Sequence, residues 1–254
     1  MILAVDTGNS NIVLGCMEGL EIRHTLRLKT DRATSAAGYT VTLQAALAQA
    51  GFSVAGFEGG ILSSVVAAVT EPLRQALSAL LSGPVLVVGK TAKTTLPLCI
   101  DQPETIGADL IAAAEGALAQ YAPPLVLIDM GTATTFSVLD KSGTFLGGAI
   151  APGVQLGAEA LTQRTGLPMT ELSAPQSPLS HSTTDCLRSG VIYGAAAMVD
   201  GMLDRLETAL GTPVTAIATG GLARCVIPHC RRPVTLDDQL LLRGLAVMYR
   251  REMT

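Results

Sequence analysis

One pattern constrains this chain more than any other, because it occurs twice. An apolar run ends in an aspartate, a short polar turn follows, and the apolar reading resumes. The first copy is ILAVDTGNSNIV, residues 2–13. Ile2, Leu3, Ala4 and Val5 lead into Asp6; Thr7, Gly8, Asn9, Ser10 and Asn11 form the turn; Ile12, Val13 and Leu14 continue. This reads as a buried strand, a tight turn and a second strand. The turn alone has two meanings. It is either an ordinary hairpin corner built from Asp, Gly and Asn, or a cradle for phosphate. In the second case Gly8 lets the backbone approach a ligand, the turn's N–H groups and the Asn9, Ser10 and Asn11 side chains surround phosphate oxygens, and Asp6 holds Mg²⁺ directly or through water.

The second copy, LVLIDMGTATTFSVLD, spans residues 125–140. Asp6 aligns with Asp129, Gly8 with Gly131 and Asn9 with Thr132, at an offset of about half the chain. A repeat of that length is a duplicated domain rather than a solenoid unit. Two such hairpins facing each other make a clamp for a nucleoside triphosphate and its metal. The arrangement resembles the superfamily of sugar kinases, actin and the heat-shock chaperone ATPases. The expected fold is therefore α/β: two duplicated RNase H-like domains, 1–122 and 123–254, with the active site in the cleft between them.

The remaining elements fit that plan. Residues 21–30 alternate as a third strand, with Arg23, Arg27 and Lys29 on one side. Residues 35–51 read as a helix, 60–66 as a buried strand, 70–81 as a helix capped by Thr70 with Pro72 in its first turn, and 85–88 as another strand. Residues 95–121 begin extended and become a helix from Ala108, with Asp109 in its first turn. The helix dipole favours an ionised carboxylate there, and spacing alone reads Asp109 first as a plain first-turn acid. Ala122, Pro123 and Pro124 break the chain before the second copy. Residues 143–150 read as a strand, 154–164 as a helix, and 165–182, rich in Pro and Ser, as a loop. A long Ala-rich helix covers 189–210, a strand runs over 214–219 into Gly220 and Gly221, and a closing helix covers 236–249.

Composition narrows the partners. Hydrophobic residues make up 48% of the 254, enough for two cores, and the net charge is −4 with no run of Lys or Arg. Nucleic acid and acidic membrane surfaces are poor matches for such a chain. The first residues enter a strand directly with no basic stretch before it, so no signal peptide is expected, and the longest apolar stretches, such as Val191 to Met198, are too short to span a bilayer. The five cysteines have no regular spacing, as suits a reducing cytoplasm. Cys225, His229 and Cys230 lie close together, but a zinc site needs a second ligand cluster, so they read as packing residues.

Five motifs make the resemblance specific. They are Asp6-Thr7-Gly8-Asn9-Ser10, Gly107-Ala108-Asp109-Leu110, Asp129-Met130-Gly131-Thr132-Ala133-Thr134-Thr135, Gly147-Gly148-Ala149-Ile150-Ala151-Pro152-Gly153 and Thr219-Gly220-Gly221, with Ser63 to Val66 as a further match. In order and spacing they resemble the type III pantothenate kinases over nearly the whole chain. The resemblance implies transfer of the ATP γ-phosphate to the primary hydroxyl of pantothenate, the first step of coenzyme A synthesis, by a cytoplasmic homodimer using Mg²⁺ and a monovalent cation, K⁺ or NH₄⁺. It implies Asp109 as the general base, Asp6 as the metal-associated carboxylate and Asp129 at the monovalent cation. It puts Gly8, Asn9, Ser10, Asn11, Thr132, Ala133, Thr134, Gly220 and Gly221 around ATP. Ile100, Gly107, Ala108, Leu110 and Thr183 fall on the substrate side, with Thr183 reaching across from the partner subunit and the dimer seam on the long helix.

Two positions depart from the family pattern. An Arg usually follows the catalytic Asp where this chain has Leu110, and a Tyr usually stands where it has Ile100. Losing an Arg removes a charge-assisted contact to a carboxylate. Three readings follow: pantothenate held by another residue, with Arg23, Arg27 and Arg32 as candidates; a same-fold kinase for another small hydroxyl compound; or a non-catalytic nucleotide-binding paralogue.

Overall fold

The two halves repeat residue by residue. In the computed structural model, which describes residues 1–168 and 171–254, strands β1 (Ile2–Thr7) and β6 (Leu125–Met130) share one burial pattern: four buried residues, a half-buried Asp, one buried residue. Each pairs antiparallel with the next strand, β2 (Asn11–Glu18) and β7 (Ala133–Leu139). These in turn pair antiparallel with β3 (Glu21–Lys29) and β8 (Phe145–Pro152). On its other side β1 pairs parallel with β4 (Gly59–Ser64), and β4 with β5 (Val85–Val87). The second half does the same with β9 (Thr215–Thr219) and β10 (Thr235–Leu236). The sheet orders, β3-β2-β1-β4-β5 and β8-β7-β6-β9-β10, are one topology used twice.

The chain forms two compact units. The first holds residues 1–96, 101–120 and 239–254; the second holds 97–100 and 121–238. In the first, helices α1 (Ala36–Gln49) and α2 (Ala67–Leu80) cover one sheet face through Tyr39, Leu43, Leu47, Val69, Leu73 and Leu77. Helices α3 (Ala108–Leu118) and α7 (Leu240–Met253) cover the other, where Ile111, Ala112, Leu242 and Leu245 share a cluster with Ile2, Ala4 and Ile61. In the second unit α4 (Val154–Thr165), α5 (Thr183–Leu210) and the short α6 (Ala223–Val226) border a core of Val126, Ile128, Phe136, Ile192, Val199 and Leu203.

Several elements differ from the sequence reading. Helix α2 begins at Ala67, with Val66 rather than Thr70 at its N-cap. The Val66 side chain makes no capping hydrogen bond, and the Ser64 hydroxyl oxygen accepts from Val66 N at 3.2 Å. Thr70 lies inside the helix, donating to Ser64 Oγ at 2.8 Å, and Pro72 is internal. Helix α5 begins at Thr183, six residues before the expected start, because Ser182 Oγ accepts from Asp185 N at 3.1 Å and caps it. The closing helix starts at Leu240 rather than 236, and it packs in the first unit although the sequence reading counted it with the second domain. The stretch read as loop over 165–182 includes 169–170, which lie outside the described residues. The rest of it is tied to α5: Tyr193 and Ser189 donate their hydroxyls to the Pro175 and Pro178 carbonyls at 2.9 and 2.6 Å. Among the described residues no helix is long and apolar enough to cross a membrane.

An ion pair joins α3 to α7. Arg251 Nη1 donates to both Glu115 carboxylate oxygens at 3.0 Å, its Nη2 donates to the Lys93 carbonyl at 2.7 Å, and the Thr94 hydroxyl donates to Glu115 at 2.7 Å. The Glu115 side chain is only 10% exposed, so removing its partner leaves a desolvated charge. Arg251→Ala is expected to cost about 2–3 kcal/mol in urea unfolding, at the low end for a buried pair because Arg251 is partly in water. Glu115→Gln, which removes the charge itself, should cost less.

Candidate functional site

In the first unit the turn after β1 is closed by Gly8 N donating to the Asn11 carbonyl at 2.9 Å. The end of β3 braces it. The Thr30 hydroxyl donates to the Gly8 carbonyl at 2.8 Å, Thr30 N donates to the Ser10 carbonyl at 3.1 Å, and Arg32 Nη2 donates to Asn9 Oδ1 at 3.0 Å. Arg32 is itself presented by a fixed loop, where the Asp31 carboxylate accepts from Ala33 N and the Thr34 hydroxyl at 2.9 and 2.8 Å. A Cβ on Gly8 would meet only the Asn11 carbonyl at 3.5 Å, an ordinary contact. The chain does not itself demand glycine there. Asn9 and Ser10 are exposed and Asn11 is half-buried.

Asp109 is in the same unit, in the first turn of α3. Its Oδ1 accepts from Leu110 N at 2.8 Å. The carboxylate therefore folds back over its own helix start, and a Cβ on Gly107 would collide with it. A side chain at 107 would therefore displace the Asp109 carboxylate; the backbone angles of Gly107 are ordinary. Burial pushes the Asp109 carboxyl above its usual range, and the backbone hydrogen bonds from Leu110 and Asp109 itself only partly offset this. The sequence reading expected the helix dipole to hold the charge in place; desolvation is the larger effect. Ala108 and Leu110 are half-buried beside it.

The second unit repeats the turn. Gly131 N donates to the Ala133 carbonyl at 3.0 Å, and Gly131 and Thr132 are exposed. Asp129 is in register with Thr135 on β7 and Thr219 on β9. Gly220 follows Thr219 with φ +97°, and a Cβ there would lie 2.5 Å from Asp129 Oδ1 and 2.6 Å from Met130 N. The Thr-Gly-Gly motif thus lets β9 turn tightly against the Asp129 carboxylate; Gly221 is exposed. Thr134 is fully buried beneath the turn, while Ala133 is half-buried. Ile100 belongs to a strip hydrogen-bonded to β8, with Cys99 N donating to the Phe145 carbonyl at 2.8 Å. Thr183 is exposed in the first turn of α5. Among the described residues no group of three or more His, Cys, Asp or Glu could hold a metal. Cys230 is a packing residue, its thiol pushed up to about 11 by burial, and His229 stacks edge-on against Tyr193 at 5.1 Å.

Comparison with known proteins now decides the family. Residues 2–205 match the family model of type III pantothenate kinases. A protein of Exiguobacterium sp. carrying that name is 38% identical over 252 residues, covering 99% of both chains. One from Moorella thermoacetica is 35% identical over the same length and coverage. The chain belongs to the type III pantothenate kinase family. Solved structures agree on the fold. A conserved putative Baf family transcriptional activator from Campylobacter jejuni superposes with a TM-score of 0.63 at 17% identity, covering 98% of both chains. A ROK family glucokinase from Streptomyces griseus gives 0.57 at 15% identity, again covering 98% of both.

Within this type III pantothenate kinase the three arginine candidates separate. Arg23 is engaged by Glu18 and Glu21, and Arg32 by Asn9. Arg27 is exposed and in register with Val13, which is in register with Asp6, so all three side chains share one sheet face. The bracing roles of Thr30 and Arg32 were missed by the sequence reading. A polar Thr-Asp-Arg turn closing a strand was the only signal for them.

Asp109 yields a two-sided test. A proton affinity raised by folding stabilises the protein below the ordinary aspartate value of 3.8, and that stabilisation is lost as pH rises through the raised folded value. At neutral pH the ionised carboxylate therefore weakens the fold. Asp109→Asn keeps an oxygen to accept from Leu110 N. It is expected to raise Tm at pH 7, with the gain vanishing below pH 3.8. For a carboxylate that takes a proton in the reaction, the same substitution lowers turnover about 10²–10⁴-fold. Near-normal turnover would remove Asp109 from the mechanism.

Proposed function

We propose that this chain transfers the γ-phosphate of ATP to the primary hydroxyl of pantothenate, the first step of coenzyme A biosynthesis, in the cytoplasm. The observation that carries this is relatedness to type III pantothenate kinases from end to end. Asp109 is the general base: it takes the hydroxyl proton as the oxygen attacks the γ-phosphorus and ADP leaves. A half-buried carboxylate with raised proton affinity suits that task. Gly8, Asn9, Ser10 and Asn11 in one turn, and Thr132, Ala133 and Thr134 in the other, serve the phosphates, with Gly220 and Gly221 beside the nucleotide. Neither Gly8 nor Gly131 has a neighbour in its own unit that a Cβ would strike, which supports a ligand as the reason for glycine in both turns.

Asp6 is the residue we assign to Mg²⁺. An ATP-bound magnesium ion needs only one or two carboxylates besides phosphate and water, and Asp6 with the buried Ser63 hydroxyl on its face is a donor set of that chemistry. When bound, the ion neutralises charge on the phosphate oxygens. Asp129 we assign to the monovalent cation, K⁺ or NH₄⁺, which takes the same hard oxygen donors. The family's arginine is absent at Leu110, and Arg27 is the residue we assign to the pantothenate carboxylate instead. Its exposed guanidinium and its place on the face of Asp6 support this. Ile100, Gly107, Ala108 and Leu110 complete the substrate side.

Activity is tested by coupled ADP release against pantothenate and a panel of small alcohols, with K⁺ or NH₄⁺ supplied. Release with pantothenate alone is expected; release only with another alcohol would overturn the reading. Arg27→Ala should lower kcat/KM for pantothenate about tenfold or more, as a lost contact to a carboxylate does. Leu110→Arg should recover part of that loss in the Arg27→Ala background.

The active form we propose is a homodimer joined along α5. Cys186, Gly190, Gly194 and Ala197 are exposed along the helix, and added Cβ atoms at the two glycines would meet nothing within 4 Å. A second helix can approach closely there, with Thr183 reaching the partner's substrate. Sedimentation at micromolar concentration should give twice the monomer mass of 26.1 kDa; a monomer would contradict the assignment.

A further inference from the structure

Four buried side-chain hydroxyls lack a hydrogen-bond partner among the described residues: Thr7, Ser63, Thr134 and Thr135. All four are beside a turn aspartate. Thr7 follows Asp6, Ser63 is in register with Asp6, Thr135 is in register with Asp129, and Thr134 with the next residue, Met130. Buried hydroxyls without partners are costly and uncommon, so their confinement to these two places needs a cause.

Ser63 is the most informative of them. It is 0% exposed. On the parallel strands β1 and β4 it stands directly beside Asp6, about 4.8 Å away across the sheet and on the same face. Thr7, one residue on, points to the opposite face. One step back along the Asp6 and Ser63 face, Ala4 and Ile61 are covered by Ile111 and Ala112 of α3, the helix whose first turn carries Asp109. The polar pair Asp6 and Ser63 thus follows an apolar floor, at the strand ends. The Ser63 hydroxyl can both donate and accept one hydrogen bond, and the described residues supply it with neither.

We propose that Ser63 is a positioning residue for magnesium-bound nucleotide: its hydroxyl finds its partner in the hydrated metal that Asp6 holds, and so fixes the Asp6 carboxylate. This rests on the assignment of Asp6 to Mg²⁺ above.

The test is Ser63→Ala in the full-length protein, with AMPPNP binding measured by calorimetry in magnesium and in EDTA, and the Tm of the ligand-free protein measured alongside. A hydroxyl with no partner in the free protein costs nothing to remove, so Tm should hold or rise. The gain in AMPPNP affinity from magnesium should shrink about tenfold, while affinity in EDTA stays unchanged. A fall in Tm of several degrees would show that Ser63 already has a partner, such as a resident water, and would overturn the proposal. So would an equal loss with and without magnesium, or no loss at all. Asp6→Asn separates the two levels. If it abolishes the magnesium gain while Ser63→Ala does not, only the role of Ser63 falls. If it leaves the gain intact, the assignment of Asp6 falls and Ser63 with it.

Discussion

In each sheet the central strand is hydrogen-bonded to an antiparallel strand along one edge and to a parallel strand along the other. β1 lies between antiparallel β2 and parallel β4, and β6 between antiparallel β7 and parallel β9. A strand in that position has its backbone polar groups paired and its side chains packed on both faces, so its sequence must be apolar almost throughout. The aspartate is admissible only where pairing ends and the chain turns. Asp6 and Asp129 are there, each one residue before the last of its strand. The parallel neighbour matters as much as the hairpin: β4 delivers Ser63 beside Asp6, and β9 delivers Thr219 beside Asp129, with Gly220 clearing space for the carboxylate. A hairpin alone would place the aspartate but leave one flank open.

Asp109 answers a different constraint. The first turn of a helix offers unpaired N–H groups and favours negative charge, and Leu110 N does donate to the carboxylate. The same geometry folds the carboxylate into the protein, and the loss of water outweighs the N–H groups. The result is a group held in one orientation and ready to take a proton. The fold is less stable at neutral pH with Asp109 ionised than it would be with a neutral side chain of the same shape.

The period-two and apolar-run signals made both hairpins, β3 and the central parallel strands legible to within a residue or two. Local capping chemistry was harder to read. Ser182 caps α5 and starts it six residues early, while α2 begins three residues early with no side-chain cap, the Ser64 hydroxyl accepting from the N–H of Val66 itself. Membership of the last helix was not legible at all. Its apolar stripe shows that it covers a sheet, and nothing in that stripe names which of two sheets with the same topology. The sign of the Asp109 shift was missed for a related reason, because burial is a property of the packed unit and spacing reports only the helix end.

Strand register arranges the rest of the first unit's polar chemistry. Across the sheet, Thr25, Gly15, Ala4 and Ile61 form one row, and the row one step on along that face is Arg27, Val13, Asp6 and Ser63. The first row is mostly floor for α3 and α7. The second changes character within one step to cation, apolar spacer, carboxylate and hydroxyl. Four separate strands contribute, so no contiguous motif could display the row; only the pairing assembles it. Leu110 can then replace an arginine without disturbing Asp109, since what holds that carboxylate is the backbone N–H of residue 110 and not its side chain. On the function proposed above, a cation supplied from Arg27, two strands from Asp6, would act on the acceptor without competing for the carboxylate assigned to the metal.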